Sequence, residues 1–310
     1  MSITRQTLSR GPAYAGYSGQ SFLFSNDSKV EIIPTTQDVR AALYGKIDET
    51  VSDTIVRCAG TPLTWTSLGT LFPYLAPTVG QRMFGSGSSQ SVDAPLTWNA
   101  NNGDVITVTN AAITKMPDLH LGVEKDILGP MEFTGLVGNG EDPENANSYY
   151  TISTAQPFTA PALDVTKLTR QRYTAAWGSF GGFASFQAQD TWTISHELET
   201  SPVKIQGRTV DMVITSYRCM AKCKPAEPTM ANIDAALALQ GTGAKHGRRL
   251  SSNSADLVIS GQNLVSITLK NAALKTAGFV FGGKPLRNGE LGWVSTWVSS
   301  STPQSGAVFA

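Results

Sequence analysis

The sequence predicts a mainly β protein built as two tandem copies of one domain, and two observations predict it. Asn110-Ala111-Ala112, preceded by Ile106-Thr107, returns as Asn271-Ala272-Ala273, preceded by Ile267-Thr268, at an offset of 161 residues. Gly, Pro, Asn and Asp recur between short alternating apolar stretches, the punctuation of strands and tight turns. A period this long is a duplicated domain, because solenoid units run to roughly 20–50 residues.

The offset relates Arg57-Cys58 to Arg218-Cys219, Leu96 to Leu257, Asn102 to Asn263 and Ile113 to Leu274. Across 57–113 and 218–274 it gives 12 identities in 57 positions; unrelated sequences of ordinary composition give roughly 3 or 4. One deleted residue moves the offset to 160, pairing Gly122 with Gly282, Gly129 with Gly289 and Phe133 with Trp293. At the front, Ser18 and Phe22 face Ser179 and Phe183.

Taken in order, Gly16-Tyr17-Ser18-Gly19 reads as a turn before a strand at Ser21–Phe24. Ser67–Phe72, stopped by Pro73, predicts a short helix. Thr97 to Val108 reads as a hairpin turning at Asn101-Asn102-Gly103-Asp104, since Asn-Gly accepts the positive φ of tight turns. Its counterpart runs from Leu257 to Leu269, turning at Gly261-Gln262-Asn263. Asp118–Leu121 and Phe279–Phe281 are predicted strands, and Met131–Phe133 and Gly292–Val298 close each copy. In the second copy Thr229 caps a predicted helix from Met230 to Leu239, in which Met230, Ile233 and Leu237 share one face. Asn139 to Thr169 has the composition of a linker. The expected organisation is a first domain at 1–140, a linker or long loop at 141–170, a second domain at 171–298 that restarts near Tyr173, and a C-terminal tail at 299–310, mobile unless a neighbour orders it.

Net charge is zero and only 15% of residues are charged. Holding nucleic acid through phosphates needs clustered Lys and Arg, and the one basic knot is Lys245, His246, Arg248 and Arg249. Stable DNA binding is therefore not expected, whereas weak mutual repulsion favours self-association. Met1–Gly16 lacks an apolar core and no stretch reaches the ~18 apolar residues of a span, so neither a signal peptide nor membrane insertion is expected. Three cysteines, an odd number, argue against a disulfide framework.

No catalytic, cofactor or metal residue stands out. His120, His196 and His246 fall on no equivalent positions, and Gly16–Gly19 lacks the spacing of a Gly-x-Ser-x-Gly elbow. Cys219 and Cys223 lack further zinc ligands, and Cys58, matched to Cys219, reads as a buried thiol. Glu141, Asp142 and Glu144 lack the order of an EF-hand loop, and Gly241–Lys245 lacks the spacing of a P-loop; Gly241 reads as a helix C-cap. Trp65, Trp98, Trp177, Trp192, Trp293 and Trp297 read as core, with a sugar-stacking platform as the functional alternative. Asn110 and Asn271 read as strand-end turn residues whose amides satisfy backbone groups.

Read together, Ile33–Val39, Tyr44–Glu49, Thr61–Trp65, Leu71–Tyr74, Asn110–Pro117 and Gly129–Thr134 in the first copy, with Tyr173–Gly178, Asp256–Gly261 and Leu286–Trp293 in the second, resemble the tail tube (major tail) proteins of long-tailed bacteriophages. The resemblance spans nearly the whole chain as a texture of short motifs. It implies two tandem tail-tube-like β-sandwich or partial-barrel domains, each with a short flanking α-helix. It further implies a structural virion protein without catalysis or cofactor, assembled in the host bacterial cytoplasm as trimeric, pseudo-hexameric rings that stack into a tube. Its partners would be itself, the tape-measure protein, the tail terminator and the tail tip proteins, with DNA only passing through the lumen during genome ejection. Duplication favours a flexible, non-contractile (siphovirus) tail. The competing readings are a β-rich virion or surface module that binds carbohydrate, a hydrolase on a β scaffold, and a tube protein of a bacterial secretion system.

Overall fold

The computed structural model describes residues 13–25, 27–63, 80, 82–84, 93–122, 127–135, 150–154, 172–178, 182–205, 208–226, 228–229, 231–233, 249–261, 266–280, 287–296 and 307–309. These residues are mainly strand and form two antiparallel sheets.

The strands of the first half are β1 (Tyr14–Tyr17), β2 (Gln20–Leu23), β3 (Lys29–Ala41), β4 (Gly45–Gly60), β5 (Ala94–Asn99), β6 (Val105–Lys115), β7 (Leu119–Gly122), β8 (Ile127–Leu128), β9 (Met131–Gly135) and β10 (Tyr150–Ser153). Those of the second are β11 (Tyr173–Trp177), β12 (Phe186–Gln187), β13 (Thr191–Ile205), β14 (Arg208–Cys223), β15 (Ser254–Gly261), β16 (Ser266–Val280), β17 (Arg287–Ser295) and β18 (Ala307–Phe309). The first sheet has the order β2-β1-β5-β6-β9-β4-β3, with β10 on β6. The second runs β12-β11-β15-β16-β17-β14-β13, with β18 on β16, and then continues into β7 and β8 from the first half.

Strand by strand the two orders coincide, and so do their irregularities. Bulges interrupt β5–β6 between Ala94 and Leu96 and β15–β16 between Ala255 and Leu257. They interrupt β6–β9 between Ile113 and Lys115 and β16–β17 between Leu274 and Thr276. The long hairpin β3–β4 is bulged at Thr35/Thr36 and Val39/Arg40, and β13–β14 at Glu199/Thr200 and Val203/Lys204. A bulge costs a ladder bond and bends its strand; matched bulges therefore mean matched curvature. The isolated bridges Phe24–Pro62 and Ala188–Pro225 also correspond.

This register corrects part of the sequence alignment. Cys58 lies opposite Phe133, but the residue opposite the matching Trp293 is Ala221, so Cys58 corresponds to Ala221 and not to Cys219. The two halves differ by two residues between β4 and β5, and the repeat of the Arg-Cys pair is a chance identity at non-equivalent positions. Likewise Phe186, not Phe183, faces Ala175 as Phe22 faces Ala15. The pairing of Phe133 with Trp293 holds, since they lie opposite Ile113 and Leu274. Asn110 and Asn271 sit inside β6 and β16 at the bulge, not at a strand end. Asn271 takes φ +48°, a left-handed value that Asn tolerates; its N–H donates to Asp256 Oδ1 (3.0 Å) and its carbonyl accepts from Thr296 Oγ1 (2.7 Å).

The predicted Asn101–Asp104 turn is present, with Gly103 at φ +85° and Ala100 N donating to Asp104 O (2.8 Å). Ser18 and Gly19, both at positive φ, turn β1 into β2. Thr229 caps a helical turn at 231–233: Asn232 N donates to Thr229 Oγ1 (3.3 Å) and Ile233 N to Thr229 O (3.0 Å). The remainder of that predicted helix, and the one at Ser67–Phe72, lie outside the described residues. Within the segments expected to be linker and tail, Tyr150–Ser153 and Ala307–Phe309 pair with the matching stretches of β6 and β16.

Each half has an aromatic core. Phe24 stacks on Trp98 (centroids 4.6 Å apart), and Tyr17 and Phe22 pack on Phe133. In the second half Trp177, Phe183, Phe186 and Trp192 all surround Trp293. The two first strands anchor the repeat motif in the same way. Tyr17 lies opposite Leu96 and Trp177 opposite Leu257; Tyr17 Oη donates to the Ala111 carbonyl (3.2 Å) and Trp177 Nε1 to the Ala272 carbonyl (2.8 Å). Two different side chains thus satisfy the same buried carbonyl beside the same bulge. Replacing Tyr17 by Phe keeps the ring and removes the donor, and is expected to lower unfolding stability by about 1 kcal/mol in urea titrations. An unchanged midpoint would show that the hydroxyl contributes nothing there.

Candidate functional site

The most elaborate construction in the molecule is the joint between the halves. At Met116-Pro117-Asp118 the first half breaks its long strand, because proline cannot donate to a ladder. The second half has Ala277-Gly278 there, and β16 runs on unbroken. Freed by that break, the hairpin β7–β8 leaves its own sheet and adds to β13, pairing Leu119, His120, Leu121 and Gly122 with Ile194, Thr193, Trp192 and Thr191. Leu119, Leu121, Trp192 and Ile194 are all buried in the seam, and the His120 ring lies 3.3 Å from Thr193 Oγ1.

A second seam runs beside it. Gly80 N donates to Ile214 O (2.7 Å) and Met83 N to Met212 O (2.8 Å), so residues 80 and 82–84 line the side of β14 not taken by β13. Asp211, buried, fastens this stretch: its Oδ1 accepts from Phe84 N (2.9 Å) and from Met212 N (2.7 Å), and Arg82 lies 3.5 Å from Oδ2. Met83, Phe84 and Ala112 from the first half close over Ile214 from the second, with Ile55, Leu198 and Met212 at the margin. Each such large side chain contributes about 1.5–3 kcal/mol of transfer free energy on full burial, which makes the joint a firm one.

The side chains weighed for chemistry are dispersed. Cys58, Cys219 and Cys223 are buried free thiols; burial pushes Cys58 up to about 12 and raises Cys219 further, the opposite of a reactive cysteine. His196 is half-buried between the long strands, its Nδ1 2.9 Å from Tyr217 Oη and its ring stacked on that tyrosine. Trp98, Trp177, Trp192 and Trp293 are core residues, not a stacking platform. Among the described residues no group of three His, Cys, Asp or Glu could hold a metal ion. Trp65, Glu141, Asp142, Glu144, Gly241–Lys245, His246, Arg248 and Trp297 lie outside the described residues. A shallow cleft of about 330 Å³, lined by Tyr217, Arg218, Leu250, Lys275 and Thr296 among others, holds no acid–base pair. No described helix is long and apolar enough to cross a membrane.

No protein-family model matches this sequence, and no curated protein matches it. The joint was not visible in the sequence, because neither His120 nor Asp211 belongs to a motif; the signal available was Pro117, a strand breaker standing where the other copy has none.

Burial holds the His196 pKa down at about 4, against an ordinary 6.5. A depressed histidine leaves the native state neutral while the unfolded chain takes up the proton, so stability is full above the unfolded value and falls as pH drops through it toward the folded value. Between about pH 7.5 and about pH 5 the loss is expected to reach about 2 kcal/mol, from roughly 1.4 kcal/mol per unit. Urea titrations of His196→Gln at the two pH values should show a markedly smaller difference; an identical difference would remove His196 from the account.

Proposed function

We propose that this chain is the structural subunit of a bacteriophage tail tube, built of two tandem tail-tube-like β-sandwich or partial-barrel domains, each with a short flanking helix. Three chains form a ring of pseudo-sixfold symmetry, and rings stack around a lumen through which DNA passes. The protein is no enzyme in this reading. Its partners are its own copies, the tape-measure protein, the tail terminator and the tail tip proteins, and its place is the virion tail.

One observation carries the reading: two sheets of the same strand order and the same bulges lie in one chain, and a hairpin strand of the first half, β7, extends the second sheet beyond β13. A module whose sheet edge is extended by a hairpin of its own likeness is suited to a wall, because open edges pair indiscriminately and ring closure removes them. Divergence of the copies follows, since in a ring of three only alternate positions are equivalent. The chain's net charge of zero and sparse cations agree with a bore through which DNA slides, as a cationic lumen would trap phosphate through counterion release.

Electron microscopy of the concentrated protein should give class averages with three subunits and six lobes around a central opening. Rings with another subunit number, or a bore lined by Lys and Arg, would contradict the proposal.

A further inference from the structure

We infer that the β3–β4 hairpin of one chain is the docking surface for the second half of another copy of the same chain, through strand addition of Phe279–Val280 to the edge of β3. The inference rests on the self-assembly proposed above and names the contact that carries it.

In the second half, β13 receives β7 along 191–194 and β14 receives residues 80 and 82–84 along 211–214. The matched register of the long hairpins places Lys29 and Val30 where Thr193 and Ile194 stand, Asp48 where Asp211 stands, and Val51 where Ile214 stands. There the two halves part. β3 is a terminal strand of its sheet. Ile214 is 1% exposed and Val51 63%; Asp211 is buried and Asp48 exposed. Of the six large hydrophobic side chains exposed among the described residues, five (Ile32, Leu43, Tyr44, Ile47 and Val51) lie on this one hairpin. Scattered apolar residues need no explanation, but a cluster of them beside an open strand edge marks an interaction surface.

The partner follows from the same register. The element that covers β13 is the hairpin β7–β8, in which Leu119 pairs with Leu128 and His120 with Ile127. Its counterpart is the tip of β16–β17, in which Phe279 pairs with Asn288 and Val280 with Arg287. Gly129 and Gly289 mark the equivalence: a Cβ on Gly129 would lie 3.1 Å from Asp118 N, and one on Gly289 would collide with the backbone of Gly278, so in both hairpins a glycine faces the matching stretch of the partner strand at close range. On its other side Phe279–Val280 meets no described strand. Among the described residues each chain therefore carries one used donor and acceptor pair and one unpaired donor and acceptor. Joining the unused pair between chains repeats the internal contact, with Phe279 opposite Val30 and Val280 opposite Lys29. Such a head-to-tail contact closes into a ring or grows into a filament.

The test mixes two single variants, Lys29→Cys and Val280→Cys, and treats them with a short bismaleimide; the three native thiols are buried. The expected product is a cross-linked dimer joining the two preparations, at least five-fold above that from Val280→Cys mixed with Ile152→Cys, and lost when Val51→Glu is added to the Lys29→Cys chain. Val51→Glu alters an exposed side chain and should unfold at the wild-type temperature; the cross-link by itself decides the matter if it does not. Rings of wild-type protein without a cross-link above the control would overturn this surface and leave the tube reading standing. A specific cross-link in open chains would uphold the surface and overturn the ring. Neither product would overturn both.

Discussion

A sheet must end somewhere, and the way this chain ends its sheets governs the rest of its architecture. The last strand of any open sheet presents unpaired N–H and C=O groups, which water satisfies only while nothing better arrives. In the second half that problem is solved from within the chain: β7 takes the edge of β13, and residues 80 and 82–84 take the free side of β14. In the first half the corresponding edge of β3 stays terminal. Pro34 in β3 accords with an edge position, where one side of the strand has no ladder to feed, and Pro202 in β13 lies beyond the 191–194 stretch that β7 covers.

What lets one half fit the other is shared curvature. The bulges beside Asn110 and Asn271 and the paired bulges in the two long hairpins bend equivalent strands at equivalent places. Side chains around them have diverged while keeping their task, as Tyr17 and Trp177 show by donating to equivalent carbonyls from different rings. Selection for geometry at a bulge constrains the backbone and the donor, not the identity of the residue that supplies it. Where the halves meet different neighbours, like residues stand in unlike surroundings: Asp211 and Ile214 are buried under the first half, while Asp48 and Val51 face solvent.

Much of the fold was legible in the sequence because short-range chemistry wrote it there. The Asn101–Asp104 turn, the β5–β6 and β15–β16 hairpins and the correspondence of Phe133 with Trp293 all rest on local patterns that survived duplication. The alignment failed where no such pattern bridges the two residues that separate β4 from β14 in register, so that Arg57-Cys58 was matched to Arg218-Cys219 by identity alone. The joint was illegible for a different reason. Strand addition is made by backbone groups that every residue possesses, and its acceptor, β13, is far from β7 in sequence. Only the strand-breaking Pro117 hinted that the two copies part company after β6.

The central claim is that β7 belongs to the second sheet. Amide hydrogen exchange on the dilute, monomeric protein tests it most directly, because exchange reports which backbone N–H groups are held in a ladder. The account predicts that amides of Leu119–Gly122 and of Thr191–Ile194 are protected together, as strongly as the β4–β9 ladder. Exchange of Leu119–Gly122 as fast as that of an exposed turn, with the rest of the second sheet protected, would contradict it.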